Sequence, residues 1–164
     1  SDYFGKAMVL NFWSSNCGPC RSEMPDFQRA YEELGDAVNF VMVNVTDGYW
    51  DTVDSASSYV AEEGFTFPVF YDTDNHAAYT YGITGLPTTF FLSAEGNLVA
   101  GRSGAMNYDI LMGGIDLIYP NEAKKEAPAG ASFFMPISLL HGHSSVPLPR
   151  LSTSPWWRGH WRRC

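Results

Sequence analysis

The residues with the clearest chemistry in this chain are Cys17 and Cys20, which are separated only by Gly18 and Pro19. The mostly apolar run 8–13 ends three residues before them, and a segment with helical periodicity begins at them. Two thiols at this spacing, where a strand gives way to a helix, predict disulfide exchange. The attacking species would be a thiolate, and an unperturbed cysteine with a pKa of about 8.5 is mostly protonated at neutral pH.

The start of a helix is a favourable place for the first of these thiols. Unpaired backbone N–H groups and a partial charge of roughly +0.5 stabilise a thiolate there, and the pKa of a nucleophile in this motif falls to about 3.5–7.5. Cys17 is therefore predicted to be the nucleophile, and Cys20, one helical turn further on, to attack the resulting mixed disulfide. Pro19 fits the first turn, where its missing N–H costs nothing, and Gly18 leaves room for the backbone of a partner.

Two other interpretations of the cysteine pair are half of a zinc site and a structural disulfide. Zinc would need further ligands at short spacing. The remaining cysteine and the histidines lie far from the pair, at Cys164, His76, His141, His143 and His160. The spacing therefore disfavours zinc, and the structural disulfide stays open.

Periodicity along the chain predicts alternating strands and helices, followed by a hairpin and a last helix. Strands are expected at 7–12, 38–45, 67–71, 88–92 and 98–101, and helices at 19–34, from Asp51 to Gly64, at 75–81 and after Asn107. Asp51 is expected to be the N-cap of the second helix. This order predicts a mixed sheet between helical layers. Because open α/β sheets gather functional groups at the carboxyl ends of their strands, Cys17, the loop after Val45 and the Pro87 loop should converge.

The sequence resembles the active-site segment of thioredoxin-fold proteins over residues 10–25, which read Leu-Asn-Phe-Trp-Ser-Ser-Asn-Cys-Gly-Pro-Cys-Arg-Ser-Glu-Met-Pro. The Arg-x-Glu-Met-Pro ending is similar to the TlpA/ResA-like branch. Further matches follow in order at 43–45, 72–74 and 85–90, the last of which resembles a cis-proline loop. The resemblance covers residues 2–118 and implies a thioredoxin-like three-layer α/β/α sandwich with a central mixed β-sheet.

The resemblance also implies roles for residues outside the cysteine pair. Pro87 is expected to be cis and to face the cysteines, and Leu86 is expected to offer backbone groups that pair with an extended substrate. Trp13 matches a family tryptophan near the active site and is therefore expected to help bind the substrate, and a role as a core residue is its alternative. Asn16 stands where most relatives carry tryptophan, which removes an apolar surface beside the disulfide.

The proton carrier is the point at which the sequence departs most from the family. Asn11 stands where thioredoxin has a buried aspartate, and an amide cannot accept a proton at neutral pH. The resemblance suggests Asp47 instead, because a carboxyl desolvated near the cysteines would have a raised pKa and could take the proton from Cys20. The alternative for Asp47 is a solvated turn residue before Gly48. Glu23 is a third candidate, expected to pair with solvent or with a nearby base.

The function implied by the resemblance is reduction of protein disulfides by a thiol-disulfide oxidoreductase outside the cytoplasm. Its redox-active Cys17–Cys20 disulfide would need no cofactor and no metal. A membrane electron donor such as a CcdA/DsbD-like protein would re-reduce it. The direction is not fixed, because dithiols of this fold span roughly 100 mV in potential. The substrate could be an apocytochrome in cytochrome c biogenesis, another periplasmic protein or a repair enzyme.

Other functions remain as alternatives. The nearest is a cytosolic thioredoxin-like reductant, and the next is a non-catalytic binding module with the same fold. A peroxidase is disfavoured because the Pro-x-x-x-Thr-x-x-Cys context of peroxiredoxins is absent from the sequence. His76 resembles the copper-binding histidine of Sco-like relatives, but those proteins use a longer cysteine spacing.

Charge divides the chain unevenly. Residues 1–120 contain 4 basic and 16 acidic side chains, net −12, whereas residues 121–164 contain 6 and 2, net +4. The acidic body argues against nucleic-acid binding. We therefore predict one thioredoxin-like domain at 1–120 and, at 121–164, a linker and an irregular tail that is either disordered or added for expression. A membrane-surface contact by 156–163 is less favoured.

The beginning of the sequence carries a further expectation. No signal peptide is visible at Ser1, and residues 2–6 resemble the loop just ahead of the first core strand in TlpA-like proteins. A removed signal or membrane anchor upstream is therefore predicted, which would place the protein outside the cytoplasm. A cytoplasmic location is the alternative.

Overall fold

The computed structural model describes Tyr3 and residues 5–120, which form five strands and four helices. In chain order these are β1 (Met8–Trp13), α1 (Gly18–Leu34), β2 (Asn39–Val45), α2 (Val53–Glu63), β3 (Val69–Asp72), α3 (His76–Thr80), β4 (Thr88–Leu92), β5 (Leu98–Ser103) and α4 (Tyr108–Ile118). Every element expected from periodicity is present, with ends that differ by one or two residues. The predicted linker and tail at 121–164 lie outside the described residues.

The strands form one sheet in the order β3-β2-β1-β4-β5. β1 runs parallel to β2, and β2 runs parallel to β3, whereas β4 is antiparallel to both β1 and β5. The predicted mixed sheet is therefore confirmed. β1 lies at its centre, and the residues from Val9 to Trp13 are all buried, as expected of a strand that is covered on both faces.

Helices cover both faces of the sheet, which confirms the three-layer sandwich. On one face α1, α2 and α4 pack into a single core cluster, to which they contribute Phe27, Tyr59 and Leu111. On the other face Ala77 of α3 joins a smaller cluster around Phe12. Full burial of a side chain such as Phe27 contributes about 1.5–3 kcal/mol. The apolar stripe of α1 therefore determines which side of the helix faces the sheet.

The start of α2 differs from the expectation that Asp51 caps it. Thr52 is the N-cap, and its hydroxyl accepts a hydrogen bond from the backbone N–H of Ser55 at 3.1 Å. The Ser55 hydroxyl in turn accepts from the Thr52 N–H at 2.9 Å, which completes a capping box. Gly64 ends the helix at φ 72°, where a residue without a Cβ is favoured.

Register places the two site loops at one edge of the sheet. Phe12, near the carboxyl end of β1, pairs with Thr88, the first residue of β4. The chain therefore leaves β1 toward Cys17 beside the point where it enters β4 from Pro87. Along residues 5–120, no helix has the length and apolar character needed to cross a membrane.

Candidate active site

The disulfide between Cys17 and Cys20 lies at the first turn of α1, with an S–S distance of 2.05 Å. Cys17 is the N-cap residue, and its sulfur accepts a hydrogen bond from the backbone N–H of Cys20 at 3.2 Å. Gly18 and Pro19, between them, are exposed. Cys17 is partly exposed, whereas Cys20 is fully buried. A partner from solution therefore reaches the first sulfur more easily than the second.

The loop before β4 holds the second part of the site. The Leu86–Pro87 peptide bond is cis, as predicted. The Pro87 carbonyl accepts from the N–H of Gly104 at 2.9 Å, and the Thr88 hydroxyl donates to the Gly85 carbonyl at 2.8 Å. Leu86 packs against the core cluster that contains Cys20 and borders Cys17. The loop is thus fixed at the same edge of the sheet as the disulfide.

A buried carboxyl group lies one helical turn beyond Cys20. Glu23 is 1% exposed, and its Oε1 accepts from Asn11 Nδ2 at 2.8 Å while its Oε2 accepts from the Met106 N–H at 3.0 Å. Burial raises the pKa of Glu23 to about 7, against the smaller lowering effect of these two hydrogen bonds. Because residues three apart on a helix are neighbours, Glu23 and Cys20 lie on the same buried side of α1.

Asp47 does not have the environment expected of a proton carrier. Its side chain is exposed, and its Oδ1 accepts from the backbone N–H groups of Tyr49, Trp50 and Asp51. The hydrogen bond from Asp51, followed by that from Tyr49, lowers the pKa of Asp47 below its ordinary value. The expectation of a desolvated Asp47 with a raised pKa is therefore wrong, because backbone donors and water surround the carboxylate.

Glu23 was expected to face solvent or a base, and that expectation is also wrong. The signal that could have found it is its place on the buried stripe of α1, which continues through Met24, Phe27 and Ala30. A carboxylate within such a stripe must be partnered or protonated. The amide at Asn11, which replaces the aspartate of thioredoxin, is one of these partners.

A second buried carboxylate, Asp51, holds the loop that precedes the nucleophile. It is 1% exposed and accepts from both the N–H and the hydroxyl of Ser15 at 2.6 Å, from Asn44 Nδ2 at 2.8 Å and from the Ser55 hydroxyl at 2.7 Å. Burial alone would raise the pKa of Asp51, yet the hydrogen bonds from Asn44, Ser15 and Ser55 hold it below its ordinary value. This charge ties the end of β2 and the start of α2 to the loop before Cys17.

Trp13 lies entirely in the core rather than at the surface. It has 0% exposure, and its ring lies 6.0 Å from that of Tyr59 on α2. It therefore has no surface with which to contact a substrate, so the expectation of a binding role is wrong. The alternative of a core residue fits its burial.

Metal ligands do not converge in the part of the chain that the structure describes. No group of three His, Cys, Asp or Glu side chains there is arranged to hold an ion. His76 is exposed at the first position of α3.

Comparison with known sequences identifies a matching family and several relatives. A model of the AhpC/TSA family matches residues 1–100. The thiol-disulfide oxidoreductase ResA of Bacillus subtilis is 35% identical over 123 residues, which are 74% of this chain and 66% of that protein. The chain thus spans slightly less than two thirds of the length of the first curated relatives that it matches.

Two solved structures show the same architecture. StoA from Bacillus subtilis superposes with a TM-score of 0.63 at 28% identity, covering 68% of this chain and 84% of StoA. A secreted Mycobacterium tuberculosis disulfide oxidoreductase, described as homologous to E. coli DsbE, gives a TM-score of 0.60 at 27% identity, with 70% and 83% covered.

Proposed function

The chain belongs to the AhpC/TSA family, and we propose that it is a thiol-disulfide oxidoreductase that reduces protein disulfides outside the cytoplasm through Cys17 and Cys20. The observation that carries this proposal is the disulfide at the start of α1, with its first residue partly exposed and its second buried. Relatives that are named thiol-disulfide or disulfide oxidoreductases support it.

The reaction begins with the reduced pair. The Cys17 thiolate, stabilised by the N–H of Cys20 and by the N-terminal end of α1, attacks one sulfur of the substrate disulfide. A bond forms between Cys17 and that sulfur, and the other substrate sulfur leaves as a thiolate that takes a proton from solvent. The product of this step is a mixed disulfide.

The second step resolves the mixed disulfide. Glu23 in its carboxylate form accepts the proton of the Cys20 thiol, and the resulting thiolate attacks the sulfur of Cys17. The Cys17–Cys20 disulfide forms, and the second substrate sulfur leaves as a thiolate. The burial of Glu23 and its pKa of about 7 support this role over one for Asp47. The pH dependence of mixed-disulfide resolution in Glu23→Gln and Asp47→Asn distinguishes the two carboxyl groups.

Substrate binding is proposed for the residues that border the exposed sulfur. Gly18 and Pro19 are exposed and present no bulky side chain to an approaching backbone. Leu86 and Pro87 lie at the same sheet edge, where an extended substrate segment would pair with the backbone of Leu86. Trp13 supports this surface from within the core rather than forming part of it.

The compartment and the electron donor are also part of the proposal. The secreted nature of the Mycobacterium tuberculosis relative supports a location outside the cytoplasm. In that compartment a CcdA/DsbD-like membrane protein would return electrons to the disulfide. Fractionation of cells that express the full-length gene product tests the location, and recovery of the product in the cytoplasm alone would favour the cytosolic alternative.

The domain assignment can be tested by comparing the full chain with a variant that lacks residues 121–164. Residues 1–120 contain all of the proposed site residues, whereas 121–164 form the predicted linker and tail. We expect deletion of 121–164 to leave the reductase rate within about twofold of that of the full chain. A loss of the rate would show that the tail takes part in folding or in catalysis.

The central test is turnover of insulin reduction with dithiothreitol as the recycling reductant. The unmodified protein is expected to accelerate precipitation of the insulin B chain, and Cys17→Ser is expected to abolish this effect. Cys20→Ser should accumulate a mixed disulfide with the substrate, because its second step is blocked. A non-catalytic binding module would show no acceleration and no trapped complex.

Peroxide consumption is a separate candidate function because of the family to which the chain belongs. The sequence lacks the Pro-x-x-x-Thr-x-x-Cys context. The reduced protein is therefore expected to consume hydrogen peroxide no faster than Cys17→Ser does. A catalytic rate that depends on Cys17 would favour the peroxidase.

A further inference from the structure

Two large aromatic side chains stand exposed in the loop between β2 and α2. Tyr49 is 84% exposed and Trp50 is 72% exposed. Their rings meet edge to face, with centroids 5.7 Å apart and planes at 86°. We refer to Tyr49 and Trp50 as the aromatic pair.

The aromatic pair lies against the segment that precedes the nucleophile. The carbonyl of Trp50 accepts a hydrogen bond from the side-chain amide of Asn16, which is the residue before Cys17. The next residue, Asp51, accepts from both polar hydrogens of Ser15 at 2.6 Å. Two consecutive residues of one loop are thus bonded to two consecutive residues of the other.

The loop that carries the aromatic pair is fixed without any substrate. Asp47 Oδ1 accepts from the N–H groups of Tyr49, Trp50 and Asp51 at 2.9, 2.7 and 3.1 Å. Gly48 turns the chain at φ 74°, and its N–H donates to the Asp51 carbonyl at 2.9 Å. Because the backbone is already ordered, a ligand that contacts the rings loses little free energy to loop ordering.

Exposed aromatic side chains beside a reactive group favour contact with another protein. Tyrosine and tryptophan are enriched among the residues that contribute most to binding at interfaces, and each presents a large area with few rotatable bonds. A substrate disulfide must bring one sulfur to Cys17, so the residues next to that sulfur pass beside Asn16 and the aromatic pair. Asp47 adds a negative charge at the same place, which disfavours acidic residues in the bound segment.

We propose that the aromatic pair binds an apolar side chain next to the cysteine of the substrate protein, and so selects disulfides flanked by apolar rather than polar residues. The inference rests on the proposed reductase function and deepens it by naming the substrate class. It also assigns to Trp50 the apolar surface that Asn16 does not provide.

The test uses two peptides, each with a single cysteine held as a mixed disulfide with glutathione. One carries phenylalanine and the other serine on both sides of the cysteine, and the sequences are otherwise the same and uncharged. The pre-reduced full chain reacts with each peptide in a single turnover, and the released thiol peptide is measured after an acid quench. We expect the phenylalanine peptide to react about tenfold faster, the size of one good aromatic contact at an interface.

The informative variant is Tyr49→Ser/Trp50→Ser, for which the ratio of the two rates should fall from about ten to about one. Leu98→Ser is the matched control, because Leu98 is 62% exposed and pairs with Leu92 at the opposite edge of the sheet from Cys17. The control should keep the ratio of the unmodified protein. A ratio near ten in the double variant, or equal losses on both peptides, would overturn the inference. Failure of the unmodified protein to reduce either peptide or bis(2-hydroxyethyl) disulfide would instead overturn the proposed function.

Discussion

Replacing Glu23 by glutamine should remove a pH dependence of folding stability that the buried carboxyl creates. Glutamine keeps the length and shape of the side chain, and its oxygen can accept from the Met106 N–H as Glu23 does. Its amide hydrogens then face Asn11, whose Oδ1 has no hydrogen-bond partner among the described residues. Rotation of the Asn11 amide supplies that acceptor, so we expect Glu23→Gln to fold.

The size of the effect follows from the pKa of Glu23 in the two states. Burial raises it from the ordinary value of 4.5 to about 7 in the folded protein. Between these pH values the folded protein holds a proton that the unfolded chain has released, so stability falls as pH rises. A difference of about 2.5 pH units at about 1.4 kcal/mol each amounts to between about 3 and about 4 kcal/mol. This stability is fully present below pH 4.5 and is lost above pH 7.

The measurement is the free energy of unfolding in urea between pH 4.5 and pH 8 on the oxidised protein, in which the paired cysteines do not titrate. The difference in stability between Glu23→Gln and the unmodified protein should shift by about 3 kcal/mol in favour of the variant over that range. Glu62→Gln, at an exposed site on α2, is the control and should follow the unmodified protein. If the two glutamine variants showed the same pH dependence, the buried ionisation described for Glu23 would be refuted.

Three further changes test other parts of the structure. Asp47→Asn should leave the pH dependence of mixed-disulfide resolution unchanged in stopped-flow measurements, whereas Glu23→Gln should slow resolution about 100-fold or more at pH 7. A shifted pH dependence in Asp47→Asn would restore Asp47 as the proton carrier. Asp51→Ala leaves the buried donors around it unsatisfied, so it should lower the free energy of unfolding by at least about 3 kcal/mol, and a loss below about 1 kcal/mol would contradict the network. Gly114→Ala would place a Cβ 2.2 Å from Phe91 Cζ, so urea unfolding should show a loss of about 1–3 kcal/mol; no loss would mean that the ring moves freely.

The order and type of the elements could be predicted because they depend on local patterns. The apolar run at 8–13 and the three- and four-residue spacing of Met24, Phe27 and Tyr31 each describe one strand or one helix without information from elsewhere. The N-cap of α2 was predicted wrongly, and the reason is physical. Asp51 is a good capping residue by type, but distant donors on Ser15 and Asn44 bind its carboxylate, and Thr52 caps the helix instead.

The candidate site was predictable to the extent that its chemistry is contained in short segments. The cysteine pair and the cis Leu86–Pro87 bond follow from adjacent residues and from the resemblance to a family. The buried carboxyl of Glu23 could not be predicted in this way, because its environment is set by Asn11 and by Met106, 83 residues away along the chain. Burial of a carboxyl by such contacts leaves only an indirect trace in the sequence, namely a charge on an apolar stripe.

The amide at Asn11 has a consequence for the number of negative charges that the core must hold. Its nitrogen lies 2.8 Å from Glu23 Oε1, so an aspartate there would put two carboxyl groups in contact inside the protein. Such a dyad would lose its two protons in two separated steps and would share a single proton between them, as neighbouring acids do. With asparagine at this position, Glu23 titrates as a single acid, and its one proton is held on the helix that begins at the cysteine pair.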